Sequence, residues 1–594
     1  MFKKIFKFIR RCFSFILTFI GGIWLISVIG MIAFLYFSEI KHKPLSEDSF
    51  IYVDLDKGFF EGEPNTLLSQ IVNSESLPLY RLLETIEAAS KDDKIKGIAA
   101  SISEVEIGLA GAQEIRNAVL KFRKTGKKAI IFSESYGSLG SGTAEYYIAS
   151  AFDEIWMQPT GELGITGLRV EIPFAKKALD KLGVKPSFFS FYEYKTAAAH
   201  FTDETFTKEH RESLTSLLQS IYDTVTGDIA EARNLDVLQV KNVIDTAPLL
   251  ADEALKSGFI DKLAYRDELK NLIENEWHYK QINLVDYALN IMNSTYKDAP
   301  ELAYINAVGT IVSDDGDLFP QTSKDTLSSK VISKAIRDAA NDDKIKAIIL
   351  RIDSPGGEYV ASDTIWHEVS QAKIKKPVIA SLSNYAASGG YFIAMNADKI
   401  VAQPSTITGS IGVLAGKLVP EELLAKLGIN FEAISLGENA GFTSFSSDFS
   451  DSQKKRLNET LEFIYKDFTT KAMQARAISE SEIDNIARGR VWSGEQALKL
   501  NLIDKIGGVP EAVAEAKAMI NVAEDTPINL TVFPRPKTQA ELIMDFLKNR
   551  PLVSLNSSFF KTSFENGYWS GVKVLEKMSQ PNKVLMMPEF LLIN

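Results

Sequence analysis

The sequence Asp-Lys-Ile-Lys-Ala-Ile at residues 343–348 has a near copy, Asp-Lys-Ile-Lys-Gly-Ile, at residues 93–98. Other matched segments follow in the same order, always about 243 to 250 residues apart. A repeat of this length is too long for a solenoid and is typical of tandem domains. We therefore predict two copies of one fold, at residues 50–270 and 301–525, joined by a linker at residues 271–300.

Short apolar runs alternate with amphipathic segments within the second copy. The pattern predicts buried parallel strands at residues 347–352 and 377–382, and helices at residues 330–340 and 362–372. The long segment at residues 452–477 has the period and the charge pattern of a helix. Because strands and helices alternate, we expect an α/β fold in which helices pack on a sheet.

The N-terminal segment has the pattern of a membrane anchor. Five basic residues and no acidic residue lie within the first eleven positions, and residues 13–37 carry no charge. A helix of that length spans about 37 Å, which exceeds the hydrocarbon thickness of about 30 Å. We therefore predict a basic cytoplasmic tail at residues 1–12 and an uncleaved transmembrane anchor at residues 13–37. The positive charges before the anchor predict that the rest of the chain lies outside the cytoplasm.

The composition excludes several classes of protein. Hydrophobic residues make up 45% of the chain and charged residues 24%, as in ordinary folded proteins. The net charge of −11 argues against nucleic acid as a partner. Cys12 is the single cysteine, so disulfides within one chain and iron–sulfur clusters are excluded. The five histidines form no HExxH motif and no pair at ligand spacing, so we do not expect a zinc protease. We also expect no bound metal and no cofactor.

Two glycine-rich motifs follow adjacent predicted strands. Asp-Ser-Pro-Gly-Gly occupies residues 353–357, and Ala-Ala-Ser-Gly-Gly-Tyr occupies residues 386–391. In the second motif Ser388 lies at a strand-to-helix turn, where the N–H groups of a helix N-terminus favour developing negative charge. Glycines there allow a substrate to approach the backbone closely. Both motifs could instead be tight turns of an α/β protein, but their position after adjacent strands favours a nucleophile at Ser388.

A serine nucleophile requires a base, and the histidines are poor candidates because none lies in a loop motif. A lysine can serve as the base when burial in an apolar pocket keeps it neutral. Lys195 lies in a segment of aromatic and small residues, 188–199, in which Glu193 is the one acidic residue. From these residues alone, an ordinary lysine with an apolar stem and a solvated amine remains the favoured interpretation.

Four motifs occur in a fixed order along the chain. They are Tyr-Lys-Thr-Ala at residues 194–197, the two glycine-rich motifs at 353–357 and 386–391, and Thr-Gly-Ser-Ile-Gly at 408–412. With these motifs the chain resembles the signal peptide peptidase A (protease IV) family of Ser–Lys peptidases, in its long tandem-repeat bacterial form. The resemblance covers about residues 50–525 together with the anchor. It implies an α/β fold of two tandem Clp-protease/crotonase-like domains after an N-terminal transmembrane helix.

The resemblance implies five chemical roles. They are Ser388 as the nucleophile, Lys195 as the general base, Ser410 as the hydroxyl that orients the lysine, and the N–H groups of Gly389 and of Gly356 or Gly357 as the oxyanion hole. The implied activity is that of a serine endopeptidase that degrades cleaved signal peptides and other apolar peptides at the membrane surface. The resemblance also implies a homotetramer in the bacterial inner membrane, with one transmembrane pass and a periplasmic catalytic domain.

The internal repeat gives a separate view of these residues. When the two copies are aligned, Ser388 corresponds to Thr143, and residues 353–357 correspond to a segment without a glycine pair, residues 103–107. The residues of the second copy that align near Lys195 include no lysine. Each copy retains what the other lacks, so we predict one composite site per chain at the contact of the two copies.

Two other functions remain open from the sequence. A crotonase-like enzyme acting on acyl-CoA thioesters would have the same fold class, but an exported domain meets no coenzyme A. A non-catalytic membrane scaffold would be favoured by the loss of Ser388 or Lys195, and both residues are present. No role for the C-terminal tail, residues 526–594, follows from its sequence.

Overall fold

The computed structural model describes most of the chain after residue 47. The described residues are 48–62, 76–105, 107–138, 140–292, 296, 298–313, 326–535 and 585–586. The predicted cytoplasmic tail and transmembrane anchor, residues 1–12 and 13–37, lie outside the described residues. Within the described ranges, no helix is both long enough and apolar enough to cross a bilayer.

Strands and helices alternate through the first half of the described chain. Its strands are β1 (Ser49–Asp54), β2 (Ile95–Ser101), β3 (Lys128–Ser133), β4 (Glu154–Met157), β5 (Glu162–Leu163), β6 (Lys185–Phe191), β7 (Leu249–Leu250), β8 (Lys262–Leu263) and β9 (Lys280–Asn283). Its helices are α1 (Leu79–Lys91), α2 (Leu109–Arg123), α3 (Thr143–Ala149), α4 (Lys176–Leu182), α5 (Ala199–Thr202), α6 (Lys208–Arg233), α7 (Val237–Thr246), α8 (Ala251–Lys256), α9 (Arg266–Asn271) and α10 (Leu284–Met292).

The first half is built on a sheet of six strands in the order β8-β4-β3-β2-β1-β9. Every pairing in this sheet is parallel. The central strand β2 is buried along most of its length, as expected for a parallel sheet with both faces covered. Strand β9 falls in the segment interpreted as a linker, residues 271–300, and pairs with β1 at the edge of the sheet.

The second half continues the alternation. Its strands are β10 (Glu301–Val308), β11 (Thr310–Val312), β12 (Thr326–Ser328), β13 (Ile345–Ser354), β14 (Gly356–Gly357), β15 (Val378–Ala387), β16 (Lys399–Ala402), β17 (Ile407–Gly409), β18 (Val413–Val419), β19 (Val491–Ser493), β20 (Lys505–Ile506), β21 (Asn529–Phe533) and β22 (Leu585–Met586). Its helices are α11 (Ser329–Asn341), α12 (Tyr359–Lys375), α13 (Gly389–Ala394), α14 (Glu421–Lys426), α15 (Asp451–Arg476), α16 (Glu480–Ile486), α17 (Gly494–Lys499) and α18 (Val509–Met519).

The sheet of the second half repeats the arrangement of the first. Six of its eight strands follow the order β20-β16-β15-β13-β10-β21, and all of these pairings are parallel. These strands correspond one by one to β8-β4-β3-β2-β1-β9. In each half, the edge strand beside the first strand comes from a later segment of the chain: β9 in the first half, and β21, within the tail at residues 526–594, in the second. The shared topology confirms a repeated α/β fold.

The strands and helices predicted in the second half are confirmed. The strands predicted at residues 347–352 and 377–382 correspond to β13 and β15. The helices predicted at residues 330–340 and 362–372 lie within α11 and α12, and the predicted long helix is α15. Strand β15 is longer than predicted and ends at Ala387, so the candidate nucleophile directly follows its last residue.

Strands from the two halves also pair with each other. β6 of the first half and β18 of the second form an antiparallel pair in which Phe191 lies opposite Val413. A buried ion cluster joins the halves elsewhere, because the Arg351 guanidinium on β13 donates to Glu61 and Glu114 of the first half at 2.6 Å each. A buried charge is costly unless it is paired, so this cluster favours one arrangement of the two halves.

Candidate active site

Ser388 lies between the end of β15 and the start of α13. Its φ of 55° and ψ of −116° form a backbone conformation that costs a non-glycine residue about 1–3 kcal/mol. The Ser388 N–H donates to the Gly409 carbonyl at 2.8 Å, which ties the turn to the end of β17. The residue is fully buried. Strained residues of this kind cluster at functional sites, where the surrounding structure holds them in place.

The pairing of β6 with β18 brings a lysine to this serine. Lys195 follows the end of β6, and Ser410 precedes the start of β18. Because Phe191 and Val413 lie opposite each other, the turn after β6 meets the turn before β18. The lysine of the first half therefore reaches Ser388 of the second, although 193 positions separate the two residues in the chain.

The amine of Lys195 contacts three oxygen atoms. Lys195 Nζ lies 2.8 Å from Ser388 Oγ, 3.0 Å from Ser410 Oγ and 3.0 Å from the Ser410 carbonyl oxygen. All three residues are buried, with at most 3% of their surface exposed. The structure therefore places three of the predicted site residues in one contact.

Burial lowers the pKa of Lys195 to about 7. The cause is desolvation, which penalises the charged ammonium relative to the neutral amine. A neutral amine that lies within hydrogen-bond distance of a hydroxyl can accept the proton of that hydroxyl. The lysine thus has both the distance and the protonation behaviour that a base for a serine nucleophile requires.

Two glycines leave the space that Lys195 occupies. A β-carbon on Gly489 would lie 2.5 Å from the Lys195 backbone nitrogen, and one on Gly412 would lie 3.2 Å from Lys195 Cδ. Gly489 also has a φ of 89°, a conformation that favours glycine. Neither glycine is among the predicted site residues. Gly412 belongs to the motif at residues 408–412, whereas no motif in the sequence marks Gly489.

The predicted oxyanion residues lie around the start of α13. The amide nitrogen of Gly357 lies 3.1 Å from the position that a β-carbon would take on Gly389. The Gly356 N–H donates to Ser354 Oγ at 3.2 Å. Gly357 also packs too closely for any side chain, because a β-carbon there would lie 2.0 Å from the Ile311 carbonyl oxygen. The structure thus brings the Gly357 amide beside Gly389 and gives the Gly356 N–H another acceptor.

An extended segment of the chain pairs with these glycines. Gly356–Gly357 forms β14 in a small sheet with the order β12-β11-β14-β22. β22, Leu585–Met586, runs antiparallel to β14, with Gly356 opposite Met586 and Gly357 opposite Leu585. The buried glycine strand therefore pairs with β11 on one side and with an extended segment of the chain on the other.

Two segments of the chain match the family model described as Peptidase family S49, at residues 121–280 and 370–523. Together these segments cover more than half of the chain. The chain belongs to peptidase family S49. A second model, the NfeD1b N-terminal domain, matches residues 321–418 and overlaps the second S49 segment.

Relatives of this S49 protein are described as proteases. It is 31% identical to the chloroplastic serine protease SPPA of Arabidopsis thaliana, over 80% of this chain and 71% of the relative. It is 28% identical to Protease 4 of Haemophilus influenzae, over 88% of each chain. Among solved structures, a ClpP1 mutant from Listeria monocytogenes matches with a TM-score of 0.23 and 15% identity, over 35% of this chain and 94% of that chain. The family and the relatives assign the chain to the serine proteases.

Two ion pairs cross between the halves beside the lysine turn of the S49 protein. Arg488 pairs with Glu193 at 2.9 Å, and Arg490 pairs with Glu212 at 3.0 Å. The two arginines flank Gly489, so these pairs hold its loop against the lysine turn, through Glu193, and against α6, through Glu212. Sequence reasoning missed the arginines, because nearly 300 positions separate Arg488 from its partner and no motif surrounds it.

The first half of the S49 repeat has no equivalent contact in the part that the structure describes. Thr143, which corresponds to Ser388, is buried at the start of α3. Its Oγ1 donates to the Gly167 carbonyl at 3.2 Å and accepts from Ser141 Oγ at the same distance. Among the described residues, no group of three or more His, Cys, Asp or Glu side chains is placed to hold a metal ion.

Proposed function

We propose that this S49 protease is a membrane-anchored endopeptidase in which Ser388 is the nucleophile and Lys195 is the general base. The observation that carries the proposal is the 2.8 Å contact between Lys195 Nζ and Ser388 Oγ. The pKa of about 7 supports it, because much of the amine is then neutral near physiological pH. The membership of family S49 supports the peptidase class.

In the proposed reaction, Lys195 takes the proton of Ser388 as Oγ attacks the carbonyl carbon of the scissile peptide bond. The oxyanion accepts hydrogen bonds from the N–H groups of Gly389 and Gly357; Gly357 is preferred because the Gly356 N–H already has an acceptor. The lysine ammonium then protonates the leaving amine, and the C–N bond breaks to leave an acyl-enzyme. A water molecule that gives its proton to the lysine hydrolyses the ester and restores the serine.

Ser410 holds the lysine in the orientation that this reaction needs. Its hydroxyl and carbonyl oxygens both accept from Lys195 Nζ, at 3.0 Å each. Two of the tetrahedral positions around the nitrogen are thereby occupied, and a third faces Ser388. A base held in a reactive orientation loses little freedom in the transition state, which favours proton transfer.

Extended apolar peptides are the proposed substrates, and cleaved signal peptides are the main class. The pairing of Gly356–Gly357 with Leu585–Met586 supports an extended backbone beside the oxyanion residues. The predicted anchor at residues 13–37 would keep the site at the membrane surface, where peptides released from the bilayer are concentrated. The resemblance to signal peptide peptidase A supports the same class.

Peptidase activity of the full chain in detergent tests this proposal. We expect cleavage of a fluorogenic apolar peptide by the wild type and a loss of at least about 10³-fold in the Ser388→Ala variant. Thr143→Ala is the matched control, because it removes the equivalent hydroxyl of the first half, and we expect it to retain activity. A Ser388→Ala protein as active as the wild type would contradict the assignment of the nucleophile.

The proposed location is the bacterial inner membrane, with a single pass at residues 13–37 and the protease outside the cytoplasm. The warrant is the charge-free segment behind five basic residues. Protease added to intact spheroplasts is expected to digest the bulk of the chain. Full protection of the chain in spheroplasts whose other periplasmic proteins are digested would refute this topology.

The proposed assembly is a homotetramer whose active sites face a shared cavity. This proposal is supported by the family resemblance. Light scattering of an active sample in detergent, corrected for the bound detergent, measures the mass directly. We expect four chains of 65.8 kDa each. A monomeric mass for a fully active sample would refute the tetramer.

A further inference from the structure

A small cavity lies beside Lys195. Its lining includes Lys195, Ser410, His210 and Ser213, together with the backbone at Gly489. Its volume is about 10 Å³, which is close to the smallest space that holds one ordered water. Polar side chains from both halves of the chain therefore face one water-sized space beside the site.

His210 is the unexplained residue of this cavity. It lies in the first turn of α6, and 2% of its surface is exposed. Neither ring nitrogen has a hydrogen-bond partner among the described residues. The ring packs against Phe206, with centroids 4.9 Å apart, and more distantly against Phe174. A buried polar group without a partner costs about 1–3 kcal/mol, so a water in the cavity is favoured.

The hydroxyl of Ser410 needs an acceptor on the same side. Ser410 Oγ accepts a hydrogen bond from Lys195 Nζ at 3.0 Å. Its own O–H must then donate in another direction, and the described hydrogen bonds contain no acceptor for it. Ser410 and His210 both line the cavity, so a water between them would accept from the hydroxyl and donate to the ring.

We propose that one ordered water in this cavity joins Ser410 Oγ to the His210 ring, which makes His210 a positioning residue for the lysine. The chain of bonds runs from the Ser410 O–H to the water and from the water to an unprotonated ring nitrogen. This inference rests on the proposed function of Lys195 as the base.

The titratable groups that line the cavity are consistent with this direction of bonding. They are Tyr194, Lys195 and His210. Burial lowers the pKa of His210 to about 4, so its ring is neutral and offers an acceptor wherever the lysine is neutral. Tyr194 donates its hydroxyl proton to Glu212. The Glu212 carboxylate also pairs with the Arg490 guanidinium, so its charge is already balanced by a cation outside the cavity.

Loss of the water has a specific consequence for the lysine. Without an acceptor, the Ser410 O–H is expected to turn and donate to the lone pair of the Lys195 amine. That bond stabilises the neutral amine, which lowers its pKa, and it competes with the Ser388 proton for the lone pair. A general loosening of the site would instead admit solvent and raise the pKa of the lysine toward its ordinary value of about 10.4.

The pH dependence of peptide cleavage by the full chain in detergent tests the proposal. For His210→Phe we expect kcat to fall about tenfold with KM within twofold of the wild type, and the acidic limb of the kcat profile to move to lower pH. His210→Gln, which keeps an acceptor, is expected to recover most of the rate. Phe206→Leu alters the packing around the ring without removing a polar atom, and we expect its acidic limb to be unchanged.

Several results would overturn the proposal. They are an unchanged rate and profile in His210→Phe, a limb that moves to higher pH, or a His210→Gln protein no better than His210→Phe. If His210→Phe does not fold, a high-resolution crystal structure of the wild type decides: a water bonded to both Ser410 Oγ and the ring is expected, and a dry cavity overturns the proposal. Failure of the proposed function would give a different result from failure of this inference, because wild type and Ser388→Ala would then cleave the peptide at equal rates.

Discussion

Gly489 packs against Lys195 so closely that a β-carbon on the glycine would lie 2.5 Å from the lysine backbone nitrogen and 2.6 Å from its Cα. The two residues come from different halves of the chain. The Gly489 N–H also donates to the Ile411 carbonyl at 2.8 Å, next to Ser410. This loop therefore fixes the backbone of the lysine relative to the serine that holds its amine.

Gly489→Ala is expected to move the lysine without unfolding the protein. The new methyl group must displace the Lys195 backbone, and a misplacement of about 1 Å in a catalytic group can cost about 10²-fold in rate. We expect kcat to fall by about that factor, measured with the peptide assay. Gly428→Ala is the matched control, because Gly428 also has a positive φ, 77°, but no atom within 4 Å of the added β-carbon. Equal activity of the two variants would contradict the packing argument.

Activity is expected to rise with pH through about 7 and then to level off. The pKa of Lys195 is lowered to about 7 by burial, so the amine that we propose as the base is protonated below that pH and neutral above it. The measurement is kcat/KM between pH 5 and 9 for an uncharged peptide. A profile that rises only near pH 10, where an ordinary lysine titrates, would show that the lysine is not desolvated in solution.

Lys195→Met and Lys195→Arg are expected to lose activity together. Methionine fills the apolar channel but has no amine, and arginine keeps its proton at any working pH. We expect a loss of roughly 10³-fold or more in both, and little change in the melting temperature of Lys195→Met. Lys417→Met is the control, because Lys417 is also a buried lysine and bonds the Ser444 carbonyl outside the site. Near wild-type cleavage by Lys195→Met would require another base.

Glu114→Ala is expected to destabilise the contact between the halves. The Glu114 carboxylate is fully buried and accepts hydrogen bonds from Arg351 and from the Val509 N–H. Its removal therefore leaves the positive charge of the buried guanidinium less fully balanced. Breaking a buried ion pair costs about 3–5 kcal/mol. The measurement is the free energy of unfolding in denaturant.

An exposed ion pair between the halves provides the control for this variant. Lys121 pairs with Glu511 at 2.9 Å while 60% of the lysine side chain is exposed. Pairs of this kind contribute about 1 kcal/mol or less, so Lys121→Ala is expected to change stability little. Equal effects of Glu114→Ala and Lys121→Ala would contradict the role of burial.

The sequence predicts the parts of this fold whose signals are local. The apolar runs at residues 347–352 and 377–382 are continuous because β13 and β15 are covered on both faces, and that pattern is visible without a structure. Ser388 is marked by the glycines beside it and by the strand before it. The internal repeat adds a long-range signal, because two matched segments must occupy equivalent positions in two sheets.

Other parts of the site depend on contacts that leave no local pattern. The pairing of β6 with β18 brings Lys195 to Ser410, yet nothing in the sequence of either strand indicates which strand it pairs with. Gly489 is a glycine because the backbone of Lys195 lies against it, and that neighbour is distant in the chain. The edge strands β9 and β21 fall in segments that read as linker and tail, since short edge strands have weak apolar patterns.

The Lys195–Ser388 contact is divided between two matched halves of one chain, so the halves are related to each other as the two subunits of a heterodimer would be. Two separate subunits would have to be made in equal amounts and to associate before the proposed active site could form. The covalent connection sets their stoichiometry at one to one and replaces a bimolecular encounter by an effective concentration in the millimolar range. Under the proposed mechanism each half supplies a residue that the other lacks, so both halves are required for activity.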